Sequence, residues 1–166
     1  MIRVPVAGLL AALAACAPRS SAVPADTAQT VTAPGPAITL ERTPCFGSCP
    51  VYTVSVSSTG VLAYEGRANV RQIGTAKGQM PAKQVEALLI ELERAGYFTF
   101  ANRYASSEPT CVRYSTDSPT VISSATFRGR TKRIEHDYGC GGVPGALTLL
   151  ERRIDEVLGT DRWTGR

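Results

Sequence analysis

The amino-acid order predicts an α+β fold, a two-layer sandwich in which an antiparallel β-sheet carries two main helices. Three observations lead there. Alternating apolar and polar segments come in pairs separated by turn residues, two longer segments carry a one-sided apolar stripe at helical spacing, and the order runs strands, helix, strands, helix. The same order can be read as two hairpin-plus-helix units, although no residue-level repeat accompanies it.

Residues 38–42 alternate and predict a first, edge strand. Residues 51–56 alternate strictly, with Val51, Thr53 and Ser55 on one parity and Tyr52, Val54 and Val56 on the other. Ser57-Ser58-Thr59-Gly60 is turn chemistry, and residues 61–65 return, completing a hairpin. A third strand is expected across residues 68–74, punctuated by Gly66 and Gly74. Pro81 then suits the first turn of a helix in which Val85, Leu88, Leu89 and Leu92 follow i, i+3, i+4, i+7 spacing, and Gly96 suits its stop. Tyr97, Phe98 and Phe100 read as core packing under the sheet. Residues 102–119 look irregular. Residues 120–127 and 131–138 form a second hairpin around Arg128-Gly129-Arg130, and residues 139–145 make a glycine-rich loop. In the last helix Leu147, Leu150, Ile154, Val157 and Leu158 line one face. Glu151, Arg152, Arg153, Asp155 and Glu156 are placed opposite, and Trp163 caps the domain.

The leading residues read differently. Arg3 supplies a positive start, and residues 4–15 form a nearly unbroken apolar run of about a dozen residues, short of the roughly twenty needed to span a bilayer. The run ends in Leu13-Ala14-Ala15-Cys16, which resembles a lipobox: small side chains before a cut, then a cysteine whose thiol takes diacylglycerol. Residues 1–15 are therefore expected to be a cleaved signal peptide and Cys16 a lipidated, membrane-anchoring residue. In Gram-negative lipoproteins an Asp after that Cys resembles an inner-membrane retention signal. Ala17 stands there, which favours the outer membrane. Residues 16–36 are rich in Ala, Pro, Ser, Thr and Val, with Pro18, Pro24, Pro34 and Pro36 blocking helix, and read as a tether. One domain, residues 37–163, follows.

Composition constrains the function classes. The 166 residues are 43% hydrophobic and 19% charged, ordinary for a globular chain. The formal net charge is +4, or +3 once Arg3 is removed, and it is scattered. The densest group, Arg128, Arg130, Lys132 and Arg133, lies at a turn and strand start and lacks the long basic stripe with interleaved aromatics that nucleic acid requires. No nucleic-acid partner is expected. The partners expected are the membrane, through the lipid, and an envelope protein or small ligand.

With Cys16 set aside, an even four cysteines remain: Cys45, Cys49, Cys111 and Cys140. In an oxidising compartment the default for such thiols is disulfide formation. The Cys45-Phe46-Gly47-Ser48-Cys49 loop can turn far enough to close on itself, which would leave Cys111 to bridge to Cys140; four cysteines still allow three connectivities. Two other uses of Cys45 and Cys49 compete with the staple: thiol redox chemistry, and soft-metal binding. Cys45-x-x-x-Cys49-Pro50 is similar to the copper motif of Sco-type assembly proteins, and His136, the single histidine, is the candidate third ligand. The residues after Cys49 alternate as a strand, whereas in those proteins the motif opens a helix.

No catalytic constellation stands out. His136 and Asp137 are strand neighbours and point to opposite faces. Asp117 in Thr116-Asp117-Ser118-Pro119 suits a turn. Ser is plentiful without a Gly-x-Ser-x-Gly elbow, and Gly139-x-Gly141-Gly142 lacks the lysine of a phosphate loop.

One resemblance covers nearly the whole domain. Ile38-x-Leu40-x-Arg42-x-Pro44-Cys45-Phe46-Gly47-x-Cys49-Pro50-x-Tyr52-x-Val54, with Gly60-Val61, Tyr64-x-Gly66, the helix at 85–98, Thr116-Asp117-x-Pro119-Thr120, Lys132-x-Ile134, Gly139 and the closing helix, resembles a bacterial domain-of-unknown-function family, number 6438. That resemblance implies an exported or lipid-anchored protein without an assigned activity, and it supplies no catalytic residues. It also implies that Cys45 and Cys49 belong to the shared motif while Cys111 and Cys140 are additions, which supports pairing each set within itself. The reading is a non-enzymatic cell-envelope lipoprotein, facing the periplasm, with no cofactor. The alternative is a thiol-redox or copper handler.

Overall fold

The structure, a computed structural model, describes residues 1–2 and 35–166. The signal peptide, Cys16 and the tether as far as residue 34 lie outside the described residues. Pro36, read from the sequence as the last tether residue, opens the first strand.

The described residues form nine strands and three α-helices: β1 (Pro36–Arg42), β2 (Val51–Ser57), β3 (Val61–Ala68), β4 (Gly74–Gln79), α1 (Ala82–Arg94), β5 (Arg103–Tyr104), β6 (Arg113–Tyr114), β7 (Thr120–Phe127), β8 (Arg130–Asp137), β9 (Cys140–Gly141), α2 (Gly145–Leu158) and α3 (Asp161–Thr164). A seven-stranded sheet runs β4-β3-β2-β1-β7-β8-β5, and β6 pairs with β9 separately. Every pairing is antiparallel except β5 with β8, which is parallel. The fold is therefore mixed, with a large, mostly antiparallel sheet and two main helices.

Alternation decides which face is covered. Ile38 and Leu40, Tyr52, Val54 and Val56, and Leu62 and Tyr64 are buried, while their neighbours along each strand are more exposed. The helices supply the opposing apolar stripes, Val85, Leu88, Leu89 and Leu92 from α1 and Leu147, Leu150, Ile154 and Leu158 from α2, and all join one core. Tyr97, fully buried in the 3-10 turn Tyr97–Thr99, bonds to the buried Ser123 hydroxyl at 2.8 Å. Trp163 stacks on Tyr64 with ring centroids 4.8 Å apart. No helix among the described residues is long and apolar enough to cross a membrane.

Four sequence expectations are corrected. β1 is not an edge strand: it pairs with β2 on one side and β7 on the other, so it joins the two hairpins at the centre of the sheet. Residues 68–74 do not form a strand. The chain leaves β3 at Asn69 in a left-handed conformation, φ 55°, the Arg71 and Gln72 amides bond to the Thr164 and Trp163 carbonyls, and the next strand starts at Gly74. The stretch 102–119 is not wholly irregular, since it contains β5 and β6. The two hairpin-plus-helix units do not exist as separate halves either, because a four-stranded meander and one hairpin share a single sheet.

Gly60 shows why one turn needs its glycine. Its φ is +87°, and a Cβ there would lie 1.9 Å from the Met80 carbonyl oxygen; the Met80 amide in turn bonds to the Gly60 carbonyl at 2.9 Å.

Candidate functional site

The C-terminal ends of β1 and β8 and the N-terminal ends of β2 and β7 meet at one end of the sheet, called here the clamped end. Register sets it: Arg42 lies opposite both Tyr52 and Val121, and Val121 lies opposite His136. Arg42, Tyr52 and His136 share the covered face because each continues the parity of its buried strand neighbours.

Helix α2 brings two carboxylates to these side chains. Glu151 and Asp155 are one turn apart, so they point the same way. Glu151 is fully buried, and its two oxygens lie 2.9 and 3.0 Å from Nδ1 of His136, itself 3% exposed. A carboxylate can only accept, so Nδ1 carries the proton in this contact. The Tyr138 hydroxyl donates to the same carboxylate at 3.0 Å. Asp155 accepts from Arg42 Nε at 2.8 Å and Nη2 at 2.6 Å, from the Tyr52 hydroxyl at 2.5 Å and from Thr160 Oγ1 at 3.1 Å.

Burial works against the Arg42 charge, but Asp155, then the Tyr52 and Tyr138 oxygens, outweigh it and raise the guanidinium above its usual pKa. Burial, reinforced by Asp155, pushes the Tyr52 phenol well up, and burial with Glu151 raises that of Tyr138. The result is a set of charge-assisted bonds, His136–Glu151–Tyr138 and Arg42–Asp155–Tyr52, of which His136–Glu151 is buried and the Arg42–Asp155 pair half-buried.

Sequence reasoning missed this network by placing Glu151 and Asp155 on the solvent face of α2. The signal was present for Glu151: it stands four residues after Leu147 and three before Ile154, inside the apolar stripe. For Asp155 the deciding partner, Arg42, is 113 positions away.

Both disulfides lie at this end. Cys45 bonds Cys49, with Cα atoms 5.7 Å apart, and Cys111 bonds Cys140, at 5.1 Å. The first closes the loop that ends β1 and begins β2. Phe46 at its tip is 88% exposed, its amide tied to the Asp117 carbonyl at 3.1 Å. The second ties the segment before β6 to β9. Gly139 is needed beside it: a Cβ there would lie 2.0 Å from the Ser115 carbonyl oxygen.

The remaining predicted residues sort as follows. The structure does not bring Cys45, Cys49 and His136 together as a ligand set: the pair is joined in a loop with an exposed tip, while His136 is committed to Glu151 in the core. Among the described residues no group of three or more His, Cys, Asp or Glu is arranged to hold a metal. Asp137, the sequence neighbour of His136, turns the other way and accepts from the Tyr114 hydroxyl and the Gly139 amide at 3.0 and 2.8 Å. Asp117 occupies a left-handed bend, φ 70°. In the glycine-rich loop, the Gly141 carbonyl accepts from the Val112 amide as β9 pairs with β6. Chemically, the site holds buried charges in place. Its nearest sulfurs are tied in disulfides and its hydroxyls donate within the network.

A mixed α/β domain whose large sheet is stapled at one end by two disulfides is the class of protein that these features define. The family model "Domain of unknown function (DUF6438)" matches residues 36–158, and the chain belongs to that family. No curated protein matches the chain.

Proposed function

We propose that the chain is a cell-envelope lipoprotein: residues 1–15 are cleaved, Cys16 carries the acyl chains, and residues 16–36 tether a periplasm-facing domain, with the outer membrane favoured by Ala17. The domain, read as a two-layer sandwich, serves as a non-enzymatic binding or structural module for an envelope protein or small ligand. One observation carries the reading. The lipobox-like Leu13-Ala14-Ala15-Cys16 stands in the same chain as four further cysteines joined in two disulfides, and such bonds belong to oxidising compartments. Detergent phase partition with intact-mass measurement tests it. The mature chain is expected to begin at an acylated Cys16 and enter the detergent phase, and Cys16→Ser to stay aqueous. A water-soluble native protein with Met1 retained overturns the reading.

A second reading takes the Cys45–Cys49 pair as a thiol-disulfide exchanger, favoured by its loop's exposed tip. It expects rapid reduction by a thioredoxin-class dithiol; a bond that resists excess dithiol removes it. Its copper-handling variant requires His136 to leave Glu151, and expects a Cu(I) adduct of the reduced protein that His136→Ala abolishes.

A further inference from the structure

The other end of the sheet, called here the open end, carries a surface of a different kind. β1 starts there, the β2–β3 and β7–β8 turns lie beside it, and α1 begins across it. Between these elements opens a groove of about 430 Å³. Its walls include Ala37, Val85, Leu89 and Phe127, and its rim Lys83 and Arg128, with Glu86 as the acidic member. Arg128 lies over the Phe127 ring at 4.8 Å, and Arg130 over Phe98 at 4.7 Å. Both arginines pair with the single carboxylate of Glu93, so the trio keeps a net positive charge.

We propose that this end rests on an anionic lipid surface, the membrane to which Cys16 ties the chain; the inference builds on the lipidation reading above. Where the chain reaches the domain is the first argument. Ala37 lines the groove, so the tether joins the domain at its margin. Nineteen residues lie between Cys16 and Pro36, so the two are at most about 70 Å apart when the chain is fully extended. An anchored domain is thus held close to the headgroups at high effective concentration, where even weak contacts are occupied. Charge and polarity are the second argument. Cations and aromatic rings around an apolar floor are the combination that anionic headgroups and the acyl boundary attract.

The test uses the processed chain from position 16 onward with Cys16→Ser, whose domain retains its complete core, co-sedimented with phosphatidylglycerol-containing vesicles and with phosphatidylcholine vesicles alone. It is expected to bind the anionic vesicles and to release as salt rises from about 0.05 M to about 0.5 M. Lys83→Glu is expected to lower binding by about fivefold or more. That substitution puts an acid in the first turn of α1, where the helix dipole favours it, so the loss cannot be ascribed to unfolding. Arg113→Glu, a charge reversal at the clamped end, is expected to bind as before. Absence of binding to anionic vesicles, or equal loss in both charge reversals, overturns the inference. Because this chain has no acyl group, the result is independent of lipidation. A wild-type chain that enters detergent, beside a Cys16→Ser chain that ignores vesicles, removes the lipid-surface contact and leaves the anchor standing.

Discussion

The two ends of the sheet are made of the same strands but differ in what closes them. At the clamped end, Arg42, Glu151, Asp155 and His136 are drawn into the covered face, each with a partner, and two disulfides tie the surrounding loops. At the open end the chain turns through Gly60 and Gly129 without a crosslink, and a groove lies between α1 and the sheet, rimmed by the exposed Lys83 and Arg128 over the buried Val85 and Leu89. Buried charges leave little room for rearrangement, because removing one partner strands the other in a low-dielectric interior. A groove rimmed by long cationic side chains tolerates change and can take a partner. The comparison teaches that one sheet can be closed in two ways, by paired charges and crosslinks at one end and by uncrosslinked turns around a groove at the other.

The largest expected effect breaks the clamped end at its most buried point. Glu151→Ala leaves His136 and Tyr138 without their acceptor and is expected to lower stability by about 3–5 kcal/mol, read by urea unfolding. A loss no larger than that of a surface substitution would mean that the network is not holding the end together. Next come the disulfides. In the chain-entropy picture, Cys111→Ser with Cys140→Ser, which opens the longer loop, should cost about 3–4 kcal/mol, against about 2 kcal/mol for Cys45→Ser with Cys49→Ser. The reverse order in thermal melts would show that strain or local packing, rather than loop length, governs the staples.

A pair of tyrosines sharpens the comparison further. The Tyr52 hydroxyl bonds to Asp155, whereas the Tyr64 hydroxyl is buried without a partner among the described residues. Tyr52→Phe is expected to cost about 1.5–3 kcal/mol, while Tyr64→Phe should be neutral or stabilising. Tyr52, Tyr97 and Tyr138 all have folded pKa values above the ordinary 10.0. Above about pH 10 the unfolded phenols lose protons that the folded ones keep, so stability is fully present below that pH and falls as pH rises. Alkaline unfolding followed at 295 nm should therefore have a shallower slope in Tyr52→Phe. An unchanged slope would show that Tyr52 titrates normally in the fold.

The smallest effect belongs to the open end. Lys83→Glu should leave the melting midpoint where it is, while changing vesicle binding as described above. A marked destabilisation would show that the groove rim is part of the fold's support.

Much of this was legible in the amino-acid order. Alternation marked β2, β3, β7 and β8 because one face of each strand must meet the core while the other meets solvent. Helical spacing marked α1 and α2, and Gly96 marked the stop of α1, where φ is +80°. The even cysteine count announced two bridges. Other features were not local. The central position of β1 depends on pairing with β7, more than eighty positions on, and no property of residues 38–42 distinguishes an edge from a centre. The break after Ala68 depends on the carbonyls of residues 163 and 164 accepting the Arg71 and Gln72 amides.

The type and apolar face of β2, β3, β7, β8, α1 and α2, then, were settled by the sequence alone, since they follow from the short-range periodicity of a chain that must bury its apolar side. Which charges go inside was decided only by tertiary structure. A buried carboxylate is tolerable when a distant strand delivers its partner, and the meeting of α2 with β1 and β8 is what made Glu151 an interior residue and Asp155 a half-buried one.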